Sequence, residues 1–213
     1  MASYKVKEIF YTIQGEGAHS GRPAVFCRFS GCNLWSGREE DREKAICQFC
    51  DTDFRGTDGI NGGIYDTPLE LTQAILKLWP PTDFGTTPFL VCTGGEPLLQ
   101  LDQPLVTCLH EHGIFIAVET NGTVLPPSGI DWICVSPKAG SELKLKEGSE
   151  IKLVYPQPEA PPEQYVDLSF NHFYLQPMDG PDLEKNTQLT LAYCMQHPQW
   201  SFSLQSHKIL NIP

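Results

Sequence analysis

Apolar residues fall into short runs rich in β-branched and aromatic side chains, separated by polar stretches holding glycine and proline. Runs at 6–13, 24–29, 89–92, 114–119, 132–135, 151–154, 173–175 and 201–204 predict strands. Helical periods lie between several of them. Thr67-Pro68-Leu69-Glu70 is a capping box with proline at the first helical position, after which Leu71, Ala74, Ile75 and Leu78 recur at helical spacing. Two further helices are predicted over 101–112 and 182–197, the second capped by Asp182, with Leu183, Leu189 and Ala192 partly following the period. Strands alternating with helices imply parallel βαβ units, about six of them, fewer than the eight of a closed barrel. The expected fold is α/β, one domain over 1–213.

In such folds functional groups gather at the carboxyl ends of strands. Four polar motifs follow predicted strands: Thr93-Gly94-Gly95-Glu96, Glu119-Thr120-Asn121-Gly122, Ser136-Pro137-Lys138 and Gln176-Pro177-Met178-Asp179. The segment 36–46 departs from the alternation. Gly37 to Lys44 is a charge run on helix-forming residues with Ser36 as a cap, and it reads as a solvated helix inserted between two cysteines. The stretch from Tyr155 to Pro162 reads as a loop.

Composition changes the picture only in part. Forty per cent hydrophobic residues over 213 positions support a packed core rather than disorder. The net charge of −11 disfavours direct binding to a nucleic acid and leaves a small-molecule substrate as the better expectation. Met1-Ala2-Ser3-Tyr4 leads into no apolar run, and no stretch is long and apolar enough for a bilayer, so the cytoplasm is the expected compartment and no membrane contact is expected.

Eight cysteines are present, and four of them, Cys27, Cys32, Cys47 and Cys50, fall within one short stretch. Cys92, Cys108 and Cys134 sit in apolar runs and read as buried thiols. Cys47-Gln48-Phe49-Cys50 is compatible with zinc, an iron–sulfur cluster or a redox dithiol. A four-cysteine zinc site in an interaction domain is one reading. Two points favour iron. Alternation puts Cys27 within a strand and Cys32 in the loop beyond it, and three thiolates leave one iron of a cubane open to a small ligand.

Cys-x14-Cys-x2-Cys, with Phe49 before the last cysteine, is similar to the expanded cluster motif of the 7-carboxy-7-deazaguanine synthases, a family of radical S-adenosylmethionine (SAM) enzymes. The resemblance extends in order through Phe10-Tyr11-Thr12-Ile13-Gln14-Gly15-Glu16-Gly17, Arg28 to Trp35, Cys50-Asp51-Thr52, Thr93 to Pro97, Glu119 to Gly122, Ser136 to Lys138 and Gln176 to Asp179. It implies a partial (β/α)6-type radical SAM barrel with a helix inserted in the cluster loop 32–50. It also implies ring contraction of 6-carboxy-5,6,7,8-tetrahydropterin to 7-carboxy-7-deazaguanine with release of ammonia. No side-chain acid or base is assigned, because the hydrogen abstraction belongs to the cofactor.

The same resemblance implies the site. Cys32, Cys47 and Cys50 would hold a [4Fe-4S] cluster. Phe49, Gly95, Glu96, Ser136, Pro137, Lys138, Gln176, Pro177, Met178 and Asp179 would meet SAM, with Gly94 and Gly95 allowing backbone approach and Glu96 accepting from the methionyl amine. Ile13, Gln14, Gly15, Glu16, Arg28, Thr93 and Pro213 would meet the pterin, Arg28 clamping its carboxylate. Thr52 would ligate magnesium with Asp51 in its outer shell, and His207 is a candidate to reach the substrate. A homodimer and a flavodoxin or ferredoxin as electron donor are implied. A glycyl-radical activase shares the cluster and the Gly-Gly-Glu-Pro turn but leaves Gln14 to Gly17 and Cys50-Asp51-Thr52 without a role.

Overall fold

The computed structural model describes residues 3–81 and 85–213; the chain start at Met1 and Ala2 lies outside them. The described residues form a nine-stranded sheet in the order β3-β1-β2-β4-β5-β6-β7-β8-β9. The strands are β1 (Tyr4–Ile13), β2 (Pro23–Phe29), β3 (Gly63–Tyr65), β4 (Phe89–Gly94), β5 (Phe115–Thr120), β6 (Trp132–Val135), β7 (Glu147–Tyr155), β8 (Ser169–Pro177) and β9 (Ser201–Phe202). From β2 through β9 every neighbouring pair is parallel, while β1 runs antiparallel to both β2 and β3. The sheet is open, in keeping with a partial barrel.

The helices are α1 (Pro68–Leu76), α2 (Gln103–Glu111), α3 (Leu183–Gln196) and α4 (Ser206–Leu210). The α1 cap is as its capping box predicts, with the Thr67 side chain accepting from the Glu70 N–H at 3.2 Å. Asp102 caps α2 through the Leu105 N–H at 3.1 Å. Asp182 occupies the cap position of α3 but its side chain caps nothing. The alternation is also less regular than expected, because among the described residues no helix separates β5 from β6 or β6 from β7. The inserted segment is not α-helical. It is a 3-10 turn over Glu39–Lys44 with no buried residue, too exposed to gain the packing that sustains a short α-helix. Strand β3 and helix α4 carry no clear period and were not foreseen.

Side chains alternate across the strands, so the two sheet faces differ. The convex face buries Val25, Cys27, Phe29, Leu90, Cys92, Ile116 and Val118 against Leu71 and Ile75 of α1 and Leu105, Val106 and Leu109 of α2. A second core forms where Val135, Ile151, Leu153, Leu175 and Trp200 meet Tyr193 and Cys194 of α3. The concave face is aromatic at the amino ends of the strands, where Phe89, Phe115 and Trp132 gather. His19, from the loop after β1, lies against Trp132 and Phe89 at 4.3 and 5.0 Å between centroids. The chain's own loop thus fills the lower half of the concavity and leaves the carboxyl ends free. Leu109 has no exposed surface at the helix–sheet seam, so Leu109→Ala should lower the unfolding free energy by about 2–5 kcal/mol in denaturant titration.

Candidate functional site

A cavity of about 420 Å³ opens at the carboxyl ends of the parallel strands, the position expected of an α/β sheet. The register explains its walls. Arg28 pairs with Thr93 and Glu119 with Cys134, each on the concave face two positions above the apolar layer, and Val154 pairs with Gln176 two positions beyond Lys152 and Tyr174.

The cluster loop forms the rim. Cys32 lies just beyond β2, and its Sγ accepts from the Leu34 N–H at 3.4 Å. The chain leaves, makes the 3-10 turn, and returns to dock the Ile46 and Cys47 N–H groups on the Leu34 carbonyl at 3.1 and 3.4 Å. Cys47 and Cys50 stand close enough to titrate as a pair: Cys50 and burial push the Cys47 thiol far up, while Cys47 holds Cys50 down at about 6. Lys138 stands close enough to favour both thiolates, though its own burial lowers its pKa. Cys27 belongs elsewhere. It is fully buried on the convex face beside Cys92, and burial drives its thiol well up. A closed Cys27–Cys32–Cys47–Cys50 zinc site is therefore ruled out by strand alternation. Among the described residues no three His, Cys, Asp or Glu side chains converge as ligands of one ion must. A cubane does not require that, because its thiolates bind separate irons, and Cys32, Cys47 and Cys50 with a cationic neighbour suit it.

In the Gly-Gly-Glu turn both glycines border the cavity and also support the loop beside it. At Gly94 (φ 140°) and Gly95 a Cβ would run into the backbone of Phe29 and Gly31, and at Gly95 also into the Cys32 Cβ at 2.7 Å. These glycines let the cluster loop sit on β4, so their surroundings are protein on that side. Glu96 does not line the cavity. It is completely buried and accepts from the Leu98 N–H (3.0 Å), Thr120 Oγ1 (2.8 Å) and the Asn121 N–H (2.8 Å). Burial raises its pKa against those three bonds. Its carboxylate joins the turns after β4 and β5.

Phe49, Gly95, Ser136, Lys138, Gln176, Pro177 and Asp179 do border the cavity; Pro137 and Met178 do not. Lys138 Nζ donates to the Ser136 Oγ at 2.6 Å and lies 5.8 Å from the Phe49 ring centroid. The Pro137 carbonyl accepts from Gln157, and the Met178 N–H donates to the Tyr155 carbonyl, so both hold the backbone of their segments.

Ile13, Gln14, Gly15, Glu16, Arg28, Thr52, Thr93 and Pro213 meet on the other wall. Arg28 gives its Nε to Glu8 at 2.8 Å. The Gln14 amide donates to Glu119 at 2.8 Å, and Lys152 donates to Glu16 at 2.5 Å and lies 3.4 Å from Glu119. Burial opposes the Lys152 charge, but Glu119 and Glu16 outweigh it and hold its pKa well above 10.5. Burial likewise opposes the Glu16 charge, and Lys152 reverses the effect and lowers its pKa below 4.5. Gln205 also donates to Glu16, and Ser206 Oγ to the Gly15 carbonyl. His207 packs on Gly15 and borders the cavity. Lys208 bridges Asp51 and Asp179 at 2.5 Å each, and Thr12 Oγ1 donates to the Pro213 carbonyl at 3.0 Å.

Sequence reasoning did not assign Glu119, Lys152, Gln205 or Lys208. Lys152 had a signal: it interrupts the apolar run 151–154 at a position where a half-buried strand places its side chain inward. Lys152→Met should destabilise the chain by about 3–5 kcal/mol, because two half-buried carboxylates lose their buried cation. The pH dependence should change too. In the wild type the depressed Glu16 contributes only above roughly pH 4.5 and the raised Lys152 only below roughly pH 10.5. Glu16→Gln should therefore be less stable than the wild type near neutral pH in denaturant unfolding followed by circular dichroism, and the difference should shrink as pH falls below about 4.5, where the wild-type carboxylate protonates.

Comparisons with known proteins agree in their family. The chain is 58% identical over 211 residues to a 7-carboxy-7-deazaguanine synthase of Caulobacter vibrioides, covering 99% of this chain and 100% of that one. It is 59% identical to that of Bradyrhizobium diazoefficiens, with 99% of each chain covered. At 40% identity the enzyme of Bacteroides thetaiotaomicron still aligns over 98% of both. The crystal structure of QueE from Escherichia coli superposes with a TM-score of 0.69 at 26% identity, covering 95% of this chain and 93% of that one. No protein-family model matches the chain.

Proposed function

The chain belongs to the 7-carboxy-7-deazaguanine synthase family, and on that premise we propose that residues 1–213 act as one unit that contracts 6-carboxy-5,6,7,8-tetrahydropterin to 7-carboxy-7-deazaguanine with loss of ammonia, a step towards queuosine. The observation that carries this reading is that one cavity brings together the Cys47–Cys50 turn, the segments after β6 and β8, and a recess lined by Gln14, Glu16, Glu119 and Lys152. When bound, the [4Fe-4S] cluster and SAM supply the one-electron chemistry that breaks an unactivated C–H bond. Cys32, Cys47 and Cys50 would hold the cluster, Cys50 being the thiol most readily deprotonated. Phe49, the Gly95 backbone, Ser136, Lys138, Gln176, Pro177 and Asp179 would orient SAM.

The remaining work is binding and orientation. Carboxylates of Glu16 and Glu119 accept from the donor-rich aminopyrimidinone edge, and Gln14 can both donate and accept there. Arg28 meets the substrate carboxylate with the guanidinium atoms that Glu8 leaves over. Lys152 keeps Glu16 ionised, so it remains an acceptor. Thr52 offers a hydroxyl for magnesium with Asp51 beyond it, a sparse protein ligand set of the kind magnesium tolerates. Ile13, Gly15, Thr93 and Pro213 complete the substrate wall, with His207 at its edge. A homodimer, reduction by a flavodoxin or ferredoxin, and residence in the cytoplasm complete the proposal; among the described residues no helix is long and apolar enough to cross a membrane.

Anaerobic incubation with SAM, a reductant, magnesium and carboxytetrahydropterin should yield the deazaguanine product. Its absence from a chain with an intact cluster would sink the reading. Cys27→Ser should keep iron and sulfide at wild-type content, whereas Cys50→Ser should lose the cluster's characteristic absorption.

A further inference from the structure

The insertion in the cluster loop carries seven consecutive charged residues, Arg38 to Lys44. All are exposed except Arg42. Its Nε donates to both oxygens of Glu39 at 2.8 Å. Its Nη1 reaches into the Cys47–Cys50 turn and donates to the carbonyls of Gln48 at 2.8 Å and Cys50 at 3.0 Å. The guanidinium carbon lies 4.1 Å from the centroid of the Trp35 ring. That ring is itself fixed, being 8% exposed, edge-on to the buried Phe54, and donating its indole N–H to the Arg38 carbonyl at 3.1 Å. A surface ion pair alone contributes little. Here a planar fork is stacked on one side, anchored at one edge and aimed at two carbonyls at the other, which is a geometry only arginine supplies.

We propose that Arg42 is a positioning residue for the iron–sulfur cluster, and that the insertion exists to deliver its guanidinium to the turn between Cys47 and Cys50. The inference rests on the cluster assignment above. Two carbonyls held by one Nη1 fix the peptide planes on either side of Phe49 and Cys50, and so fix where the two thiolates point. Outer partners of metal ligands commonly change metal affinity by about 10–100-fold. The guanidinium also places positive charge beside the cluster, which favours its reduced form.

The test uses the full chain reconstituted anaerobically with iron and sulfide. Arg42→Ala should release iron to a chelator roughly tenfold faster than wild type, with unchanged far-ultraviolet circular dichroism, a more negative midpoint potential and an altered electron paramagnetic resonance signal of the reduced cluster. Arg42→Lys should not restore retention, because an ammonium at the two carbonyls cannot also hold Glu39 and stack flat on Trp35. Glu39→Gln, which frees the anchor and leaves the guanidinium, should give an intermediate rate and decides the matter if Arg42→Ala does not fold. Arg38→Ala, whose partner is the surface Glu40 at 3.5 Å, should match wild type. Wild-type retention and potential in Arg42→Ala, or full restoration by Arg42→Lys, would overturn the proposal. A wild-type chain that takes up no cluster would instead overturn the cluster assignment itself.

Discussion

Lys152 brings an ammonium onto the concave face of the sheet, where burial costs several kcal/mol per ion unless partners surround it. Its partners come from distant segments: Glu119 from β5 and Glu16 from the loop after β1. That requirement draws the loop 14–19 into the concavity, where the Ala18 N–H donates to Glu150 and the Gly17 N–H to Ser203 Oγ. Gly17 holds φ 64° there, with the Glu150 carboxylate where a Cβ would stand. The same loop carries His19 down among Phe89 and Trp132. The floor of the cavity, its polar wall and the plug beneath it therefore depend on one buried ion network. Gln205 and Ser206 then close on the loop from the far end of the chain.

The opposite rim obeys a steric constraint instead. The loop bearing Cys32 lies on the turn after β4 so closely that two glycines are needed beneath it. Glu96 ties that turn to the one after β5, where Asn121 donates to Asn33 Oδ1 at 3.0 Å. Cys32 is thus held through backbone contact and a buried carboxylate. Cys47 and Cys50 are held through Leu34 and Arg42. Three cysteines on one loop receive their positions from different parts of the fold.

Much of this was legible in the chain. Strand positions followed apolar runs because burial on both faces demands β-branched and aromatic residues. The helix start at Thr67 follows from a cap that acts within three residues. The separation of Cys27 from the other three cysteines follows from a period of two. Other features were misread or unseen. The charged insertion is helical as its residues suggest, but the helix is 3-10, because propensity without a buried face does not sustain an α-helix. Glu96 joins two turns, a role visible only when Thr120 and Asn121 are beside it.

The division follows the range of the forces involved. Periodicity, caps, glycine-rich turns and cysteine spacing act between near neighbours, so the elements and the motif residues can be named from the chain alone. The ion network joins Lys152 to a residue 136 positions earlier, and no local pattern encodes that partnership. Which carboxylates stay ionised, and which motif residues face the cavity rather than the protein, is decided by packing. Burial removes the water that would otherwise screen every charge alike.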